Sequence, residues 1–299
     1  MAGNLKMWFL AIRPRTLVLS LAGTLVGGFV ALSEGSANIG AWSLCAVTAM
    51  LLQALSNLAN DYGDFEKGVD NAERVGPKRP LMKGQLSAAQ MKKAIVVTTV
   101  LALLSGAVLV FWVSRLNIYE LTFFALLGLA AVAAAMLYTL GKRPYGYRGL
   151  GDVYCFIFFG IAAVFGTYYL TAHQANWAVL LPAAAMGFMS NAVLNINNMR
   201  DAENDRLNGK KSLVVKIGQK NAYIYHVALI VSAFVCLVVF AVMSGKPLWS
   251  YAFLLLFPFF VKDLVGIKKT PPEQLDPYLG KQAVKTFVLA LAFGLLMLL

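Results

Sequence analysis

The stretch NLANDYGDFEKGVD, residues 57–70, closes an apolar run and gathers Asp61, Asp64, Glu66 and Asp70 into one short segment. A second stretch, NINNMRDAENDRLNGK at residues 195–210, does the same with Asp201, Glu203 and Asp205. Together they hold seven of the 14 carboxylates in a chain that is 59% hydrophobic and 13% charged. Carboxylates three or four positions apart share a helix face, so Asp61 with Asp64, and Asp201 with Asp205, each aim two oxygens in one direction. On a helical wheel of about 100° per residue, Gln53, Asn57, Asn60, Asp61 and Asp64 fall within an arc of about 100°. Asn191, Asn198, Asp201 and Asp205 form a second such face. Polar side chains at the end of a membrane helix are costly and mark functional sites. A solvated acidic face would explain one segment; two matching faces, each followed by Gly and Lys, fit a ligand site better. Paired carboxylates suit a hard cation, and Mg2+ held this way takes its remaining ligands from water and phosphate.

Working outward, 299 residues at a mean hydropathy of +0.68 exceed what a soluble domain carries. The fold class expected is all-α and polytopic, because apolar runs long enough to span a bilayer recur along the whole chain. Nine are read: Thr16 to Leu32, Ala41 to Leu58, Ala94 to Val113, Tyr119 to Leu140, Val153 to Ala172, Trp177 to Ile196, Tyr223 to Met243, Leu248 to Ile267 and Ala283 to Leu299. Basic residues test that number independently, since Lys and Arg collect in cytoplasmic loops. With nine spans, 24 of the 26 fall on one side, and the other keeps Arg115 and Lys246. This predicts a multi-pass protein of the cytoplasmic (inner) membrane, N-terminus inside and C-terminus outside, with both acidic segments on the cytoplasmic face.

The net charge of +12 follows from those flanking bases, as topology determinants and contacts to the anionic lipid bilayer, and nucleic acid is not expected as a partner. Cys45, Cys155 and Cys236 lie singly in apolar runs and read as core filler. His173 and His226 have no partner at metal-ligand spacing. Met1 to Arg15, with Trp8, Phe9, Leu10 and Ile12 among Lys6, Arg13 and Arg15, reads as an interfacial helix rather than a cleavable signal. No linker divides the chain, so residues 1–299 are expected to form a single domain. The acidic segments also resemble each other: Asn57, Asp61, Asp64 and Gly68 match Asn197, Asp201, Asp205 and Gly209, as an internal repeat or as convergence on one geometry.

Bases crowd the same face: Lys67, Arg74, Lys78, Arg79 and Lys83 after the first segment, Lys142, Arg143 and Arg148 in the four-to-five loop, and Arg200, Arg206, Lys210 and Lys211 around the second. Carboxylates interleaved with so many bases fit a diphosphate bridging metal ions better than bare cations. A secondary transporter would also carry intramembrane carboxylates and a repeat, but its site belongs at the midplane.

RPRTL at Arg13 to Leu17, the segment at residues 57–70, YTLGKRPYGYRGLGD at Tyr138 to Asp152, and AVLNINNMRDAENDRLNGKKSLVVKIG at Ala192 to Gly218 together resemble the UbiA superfamily of membrane prenyltransferases. The last two segments are similar to its branch that prenylates 1,4-dihydroxy-2-naphthoate in menaquinone biosynthesis. The resemblance covers essentially the whole chain. It implies nine helices around a lipid-open central cavity with the Asp motifs facing each other across the cytoplasmic mouth. It also implies Mg2+ as cofactor, with Asp61, Asp64, Asp201 and Asp205 as metal ligands and catalytic residues, and polyprenyl diphosphate as donor. Asn57, Asn60, Asn198, Lys67, Lys78, Arg79 and Lys210 are the expected binding residues. Many members read NDxxDxxxD; here Gly68 stands at the last position and Asp70 two further on, which leaves Asp70 either a ligand or a shaper of the loop. The four-to-five loop, with Gly141, Gly146, Gly149 and Gly151, lacks P-loop spacing. Its functional reading is a cap in which Lys142 and Arg143 touch the diphosphate while Tyr138 faces the allylic carbon; the other reading is an ordinary basic turn. Phe156, Phe158, Phe159, Phe165, Tyr168 and Tyr169 would line the tail, or merely pack. A different aromatic acceptor, such as 4-hydroxybenzoate, stays open.

Overall fold

The structure, a computed structural model, describes residues 2–70, 75–114 and 117–299. Arg74 and Arg115 lie outside these residues. Among the described residues every regular element is helical, and nine helices are long and apolar enough to cross a membrane. In order, spans one to nine are Pro14–Ser33, Ile39–Glu66, Ala88–Val113, Ile118–Leu137, Gly151–Ala172, Trp177–Leu207, Leu213–Met243, Leu248–Lys269 and Asp276–Leu296. A short helix, Ala2–Ala11, precedes them. It packs Met7, Trp8 and Ala11 toward Leu55, Leu58 and Tyr62 of span two, and leaves Phe9 and Leu10 exposed.

All nine expected spans are present, and several outrun their apolar cores on the side that carries the acidic segments. Span two continues past Leu58 to Glu66, and span six past Ile196 to Leu207. Backbone hydrogen bonding does not stop where side chains turn polar, so Asp61, Asp64, Asp201 and Asp205 are carried on rigid helix ends rather than on loops. Each helix then stops in the same way. Gly68 and Gly209 both take φ of 71°, a left-handed conformation that costs glycine little. Val69 N donates to Asp64 O at 3.0 Å, and Lys210 N to Asp205 O at 2.8 Å, which closes a Schellman turn on each. Span seven starts ten residues before the expected Tyr223, because a first helical turn is joined to it across a kink at Gly218 (φ 79°).

Inside lipid there is little hydrophobic gain from pressing helices together, so close backbone approach has to supply the contact. Gly23 and Gly27 of span one provide it against span five: a Cβ on Gly27 would stand 2.3 Å from Val164 O. Span five widens to π-helical bonding over Phe156–Gly166, and its Gly160 meets Gly187 of span six. Spans six to nine, with parts of one and five, pack a solid core around Met186, Met189, Ile230, Phe253 and Phe293.

The other half of the bundle is hollow. A cavity of about 800 Å³ lies among spans one to six, with Leu279 of span nine on its wall. It reaches from Asn60 to Cys45, a depth of about 22 Å along span two at 1.5 Å per residue. Leu103, Phe111 and Leu129 line it and are also exposed, so it opens sideways onto the apolar outer surface.

Candidate functional site

The polar end of the cavity is lined by Arg13, Gln53, Asn57, Asn60, Asn197 and Tyr138. Asp61 and Asp64 lie just beyond, each 1% exposed. Arg13 bonds Asp61 Oδ1, and Arg79 reaches the same oxygen at 3.0 Å. The Arg79 nitrogen also lies 3.4 Å from Asp64 and 3.1 Å from Asp70. Arg13 owes its reach to a left-handed turn (φ 53°) between the N-terminal helix and span one. Asn57 holds that turn, donating to Ile12 O at 2.8 Å and Thr16 Oγ1 at 2.9 Å.

In the second segment Asp201 takes two bonds from its neighbour Arg200, at 2.8 and 2.7 Å. Arg200 also bonds Asp276 at 2.5 Å, at the start of span nine, and Asn197 at 2.9 Å. Asp205 pairs with Lys210 at 3.4 Å. Contacts among the described residues join the segments. Asn204 donates to Val69 O at 3.1 Å, and Tyr147 donates to Asp64 at 2.9 Å while Lys210 lies over the Tyr147 ring.

Electrostatics in this space favour fixed charges. Burial pulls the Arg79 guanidinium down, but Asp61, Asp70, Asp64 and Asp201 outweigh it and hold it above its ordinary value. Lys210 is likewise raised, with Asp64 and Asp205 overcoming its burial. Burial pushes the Tyr138 phenol up to about 12 against the opposing charge of Lys210, so the ring stays neutral at physiological pH. Tyr147, raised by burial and by Asp64, keeps the proton it donates.

The donor set fits a hard divalent ion. Asp61 Oδ2, Asp205 Oδ2, Asn60 Oδ1 and Asn198 Oδ1 are buried oxygens that accept no hydrogen bond from the described residues, an arrangement that is costly without a cation. Among those residues no three His, Cys, Asp or Glu side chains converge closely enough to hold an ion as they stand; Arg79 occupies the space between the carboxylates.

Several expected residues sit elsewhere. Lys142 and Arg143 are exposed and line a separate pocket of about 440 Å³ with Lys67, Tyr147 and Arg148. Lys67 itself donates to Thr139 O at 2.5 Å, and Lys78 is exposed. Of the six aromatic residues expected along the tail, Phe158 and Phe159 line the cavity, joined by Tyr154 of the same span. Phe156 turns to Phe188, Phe165 to Trp177, Tyr168 to Glu34 and Tyr169 to Glu120. Side chains project around the whole circumference of a helix, so rings scattered from Phe156 to Tyr169 cannot all face one wall. Sequence reasoning named Arg200 among the bases around the second segment but did not single out Arg13, Tyr147 and Asp276 for the site. Arg13 and Tyr147 carried a signal, lying within quoted motifs; Asp276 carried none.

A membrane bundle whose apolar cavity ends in paired acidic segments ringed by bases is built for an amphiphile with a charged head. The chain belongs to the UbiA prenyltransferase family, whose model matches residues 20–277. It is 42% identical over 291 residues to 1,4-dihydroxy-2-naphthoate octaprenyltransferase of Escherichia coli (strain K12), covering 97% of this chain and 94% of that protein. It is 39% identical over 296 residues to the Haemophilus influenzae protein of the same name, covering 98% and 96%. In fold it is similar to a UbiA homolog from Archaeoglobus fulgidus bound to GPP and Mg2+, with a TM-score of 0.64 at 17% identity over 96% of this chain and 99% of that one.

Proposed function

We propose that the protein transfers a polyprenyl group from polyprenyl diphosphate to 1,4-dihydroxy-2-naphthoate, with loss of diphosphate and CO2, giving demethylmenaquinol for menaquinone biosynthesis. The observation that carries this reading is the cavity, which joins an acidic mouth to an apolar, sideways-open interior and so accepts a charged head and a long tail in one space. The names of the two bacterial relatives support the acceptor. The whole chain works as one prenyltransferase domain.

Asp61, Asp64, Asp201 and Asp205, with Asp70, would hold Mg2+ against the donor diphosphate. Mg2+, when bound, neutralises charge as it builds on the leaving group. Arg79 and Lys210 donate hydrogen bonds to the diphosphate oxygens, while Lys67 and Lys78, nearer the surface, draw the anionic head toward the mouth. The allylic C–O bond breaks and its electron pair leaves with diphosphate. Tyr138, neutral and on the cavity wall, offers its ring face to the allylic cation. The apolar walls exclude water, which would otherwise quench that cation. The electron-rich ring of the acceptor forms the new C–C bond and its carboxylate leaves as CO2, the freed electrons restoring the aromatic ring. Asn60 and Asn198 orient ligands at the mouth.

Incubating membranes that contain the protein with labelled polyprenyl diphosphate and a panel of acceptors tests this. Prenylated naphthoate product is expected, abolished by EDTA and restored by Mg2+. Preferred transfer to 4-hydroxybenzoate would reassign the acceptor, and full activity after chelation would sink the metal role. We place the site on the cytoplasmic face of the inner membrane. Cysteine labels at residues 78 and 216 should therefore report cytoplasmic, and one at Leu299 extracytoplasmic; a cytoplasmic Leu299 would reverse the topology.

A further inference from the structure

A single nitrogen of Arg79 stands where a cation would. Its Nη1 lies 3.0 Å from Asp61 Oδ1, 3.1 Å from Asp70 Oδ2, 3.3 Å from the Asn60 carbonyl and 3.4 Å from Asp64 Oδ2. A guanidinium nitrogen of this kind carries two hydrogens, so it cannot aim a bond at four oxygens. The oxygens surround it as ligands surround an ion. The remainder of the group is badly served: Nε is buried and finds no acceptor among the described residues. Arginine at a settled structural site uses its planar fork bidentately, and here it does not. Asp61 Oδ2, on the other side, meets no donor there. The carboxylates need a positive charge, but a guanidinium satisfies neither their geometry nor its own.

The geometry points to Arg79 as a place-holder, which neutralises Asp61, Asp64 and Asp70 in the metal-free protein and is displaced by an entering divalent ion that frees it for the anionic ligand. This rests on the metal and diphosphate reading above. Three carboxylates buried around one point favour a positive charge between them, and in the metal-free protein Arg79 supplies it. Arg79 comes from the connection between spans two and three, and can leave without repacking any span. One displacement thus does two things: the cation takes its oxygens, and a guanidinium becomes available a few ångströms away for the ligand's phosphate oxygens. Metal and anion binding are thereby coupled, each favouring the other. Asp70, drawn back under the helix end by the turn at Gly68, belongs to the same oxygen set.

The test uses metal-stripped full-length protein in lipid nanodiscs, with Mg2+ titrated in the absence of any prenyl donor. Wild type and Arg79→Gln are followed by thermal unfolding and calorimetry. Without metal the variant should melt below wild type, and saturating Mg2+ should close the gap. Its Kd for Mg2+ should be lower by at least about tenfold, within the usual range of coupling between sites. Unchanged or weaker Mg2+ affinity in Arg79→Gln overturns the proposal. If neither protein binds Mg2+, the metal reading itself has failed. A measurement independent of that variant uses Pro77→Cys, exposed beside Arg79 in an otherwise unaltered chain. Its labelling by a thiol reagent should accelerate at least about threefold when Mg2+ is added, as the segment is released; an unchanged rate overturns the place-holder.

Discussion

The two aspartate segments end their helices in the same glycine turn, yet they draw their neutralising charges from different distances. Asp61 is met by Arg13, 48 residues away, and Asp64 by Arg79, 15 residues away. Asp201 is met by the residue next to it, and Asp205 by Lys210 in its own turn. Local folding alone therefore completes much of the second site, whereas the first exists once the N-terminal helix, span two and the two-to-three connection have come together. A site assembled by tertiary contacts can exchange its cation without unravelling a helix. One that carries its cation on the same helix is fixed from the start.

The largest expected effects are on turnover, and there the two segments should behave alike. Asp61→Asn and Asp201→Asn should each lower kcat/KM by about a thousandfold, roughly 4 kcal/mol of transition-state stabilisation. Stability should separate them. Asp61→Asn removes the buried carboxylate that Arg13 and Arg79 share, each reaching it from a different element, and should cost about 3 kcal/mol. Asp201→Asn leaves Arg200 bonded to Asp276 and Asn197 and should cost about 1 kcal/mol. Thermal melts of both variants in one detergent check this, and equal losses would remove the distinction between an assembled and a built-in site.

A finer comparison uses Asn57 and Asn197, which occupy matching positions in the two segments. Asn57 ties the main chain of the Arg13 turn to span two by two hydrogen bonds, while Asn197 steadies the arginine three residues along its own helix. Asn57→Ala should thus lower kcat about tenfold and stability by about 2 kcal/mol, twice the usual net worth of one hydrogen bond. Asn197→Ala should cost about half that stability and move kcat about twofold. If Asn197→Ala proves the more damaging, Arg13 contributes little and the assembled site is simpler than its contacts suggest.

These differences also mark how far the sequence could be read. The nine spans were legible because apolar length and the placement of Lys and Arg encode them along the chain. The acidic faces were legible because a helix repeats every 3.6 residues and both segments stay helical to Glu66 and Leu207. Gly68, odd as a replacement for an acidic residue, is explained by its left-handed turn, which no side chain but glycine takes readily. The partners were not legible. Nothing periodic links Asp276 to Arg200, or Arg79 to three carboxylates at once, since such pairings are decided by how spans pack. The aromatic residues of span five stayed open between lining and packing for a related reason: composition marks the span as aromatic, but helical geometry decides which rings reach the cavity and which pack elsewhere.

The smallest expected effect concerns Lys142 and Arg143, which the sequence placed against the diphosphate and the structure exposes in a pocket of their own with Lys67, Tyr147 and Arg148. Tyr147 stands between that pocket and Asp64, to which it donates its hydroxyl. Charges on the outer side of such a wall act through solvent, where salt screens them over about 8 Å at physiological ionic strength. They can draw an anionic head toward the mouth without touching it as its C–O bond breaks. The double change to Ala should then raise the KM for prenyl diphosphate by about threefold at low salt, less at high salt, and leave kcat unchanged. Steady-state kinetics at two salt concentrations decide it. A tenfold or larger fall in kcat would show instead that the loop closes over the diphosphate during turnover, as the sequence suggested. The second segment would then also recruit a distant cation, and the contrast between the two would narrow to the metal-free state.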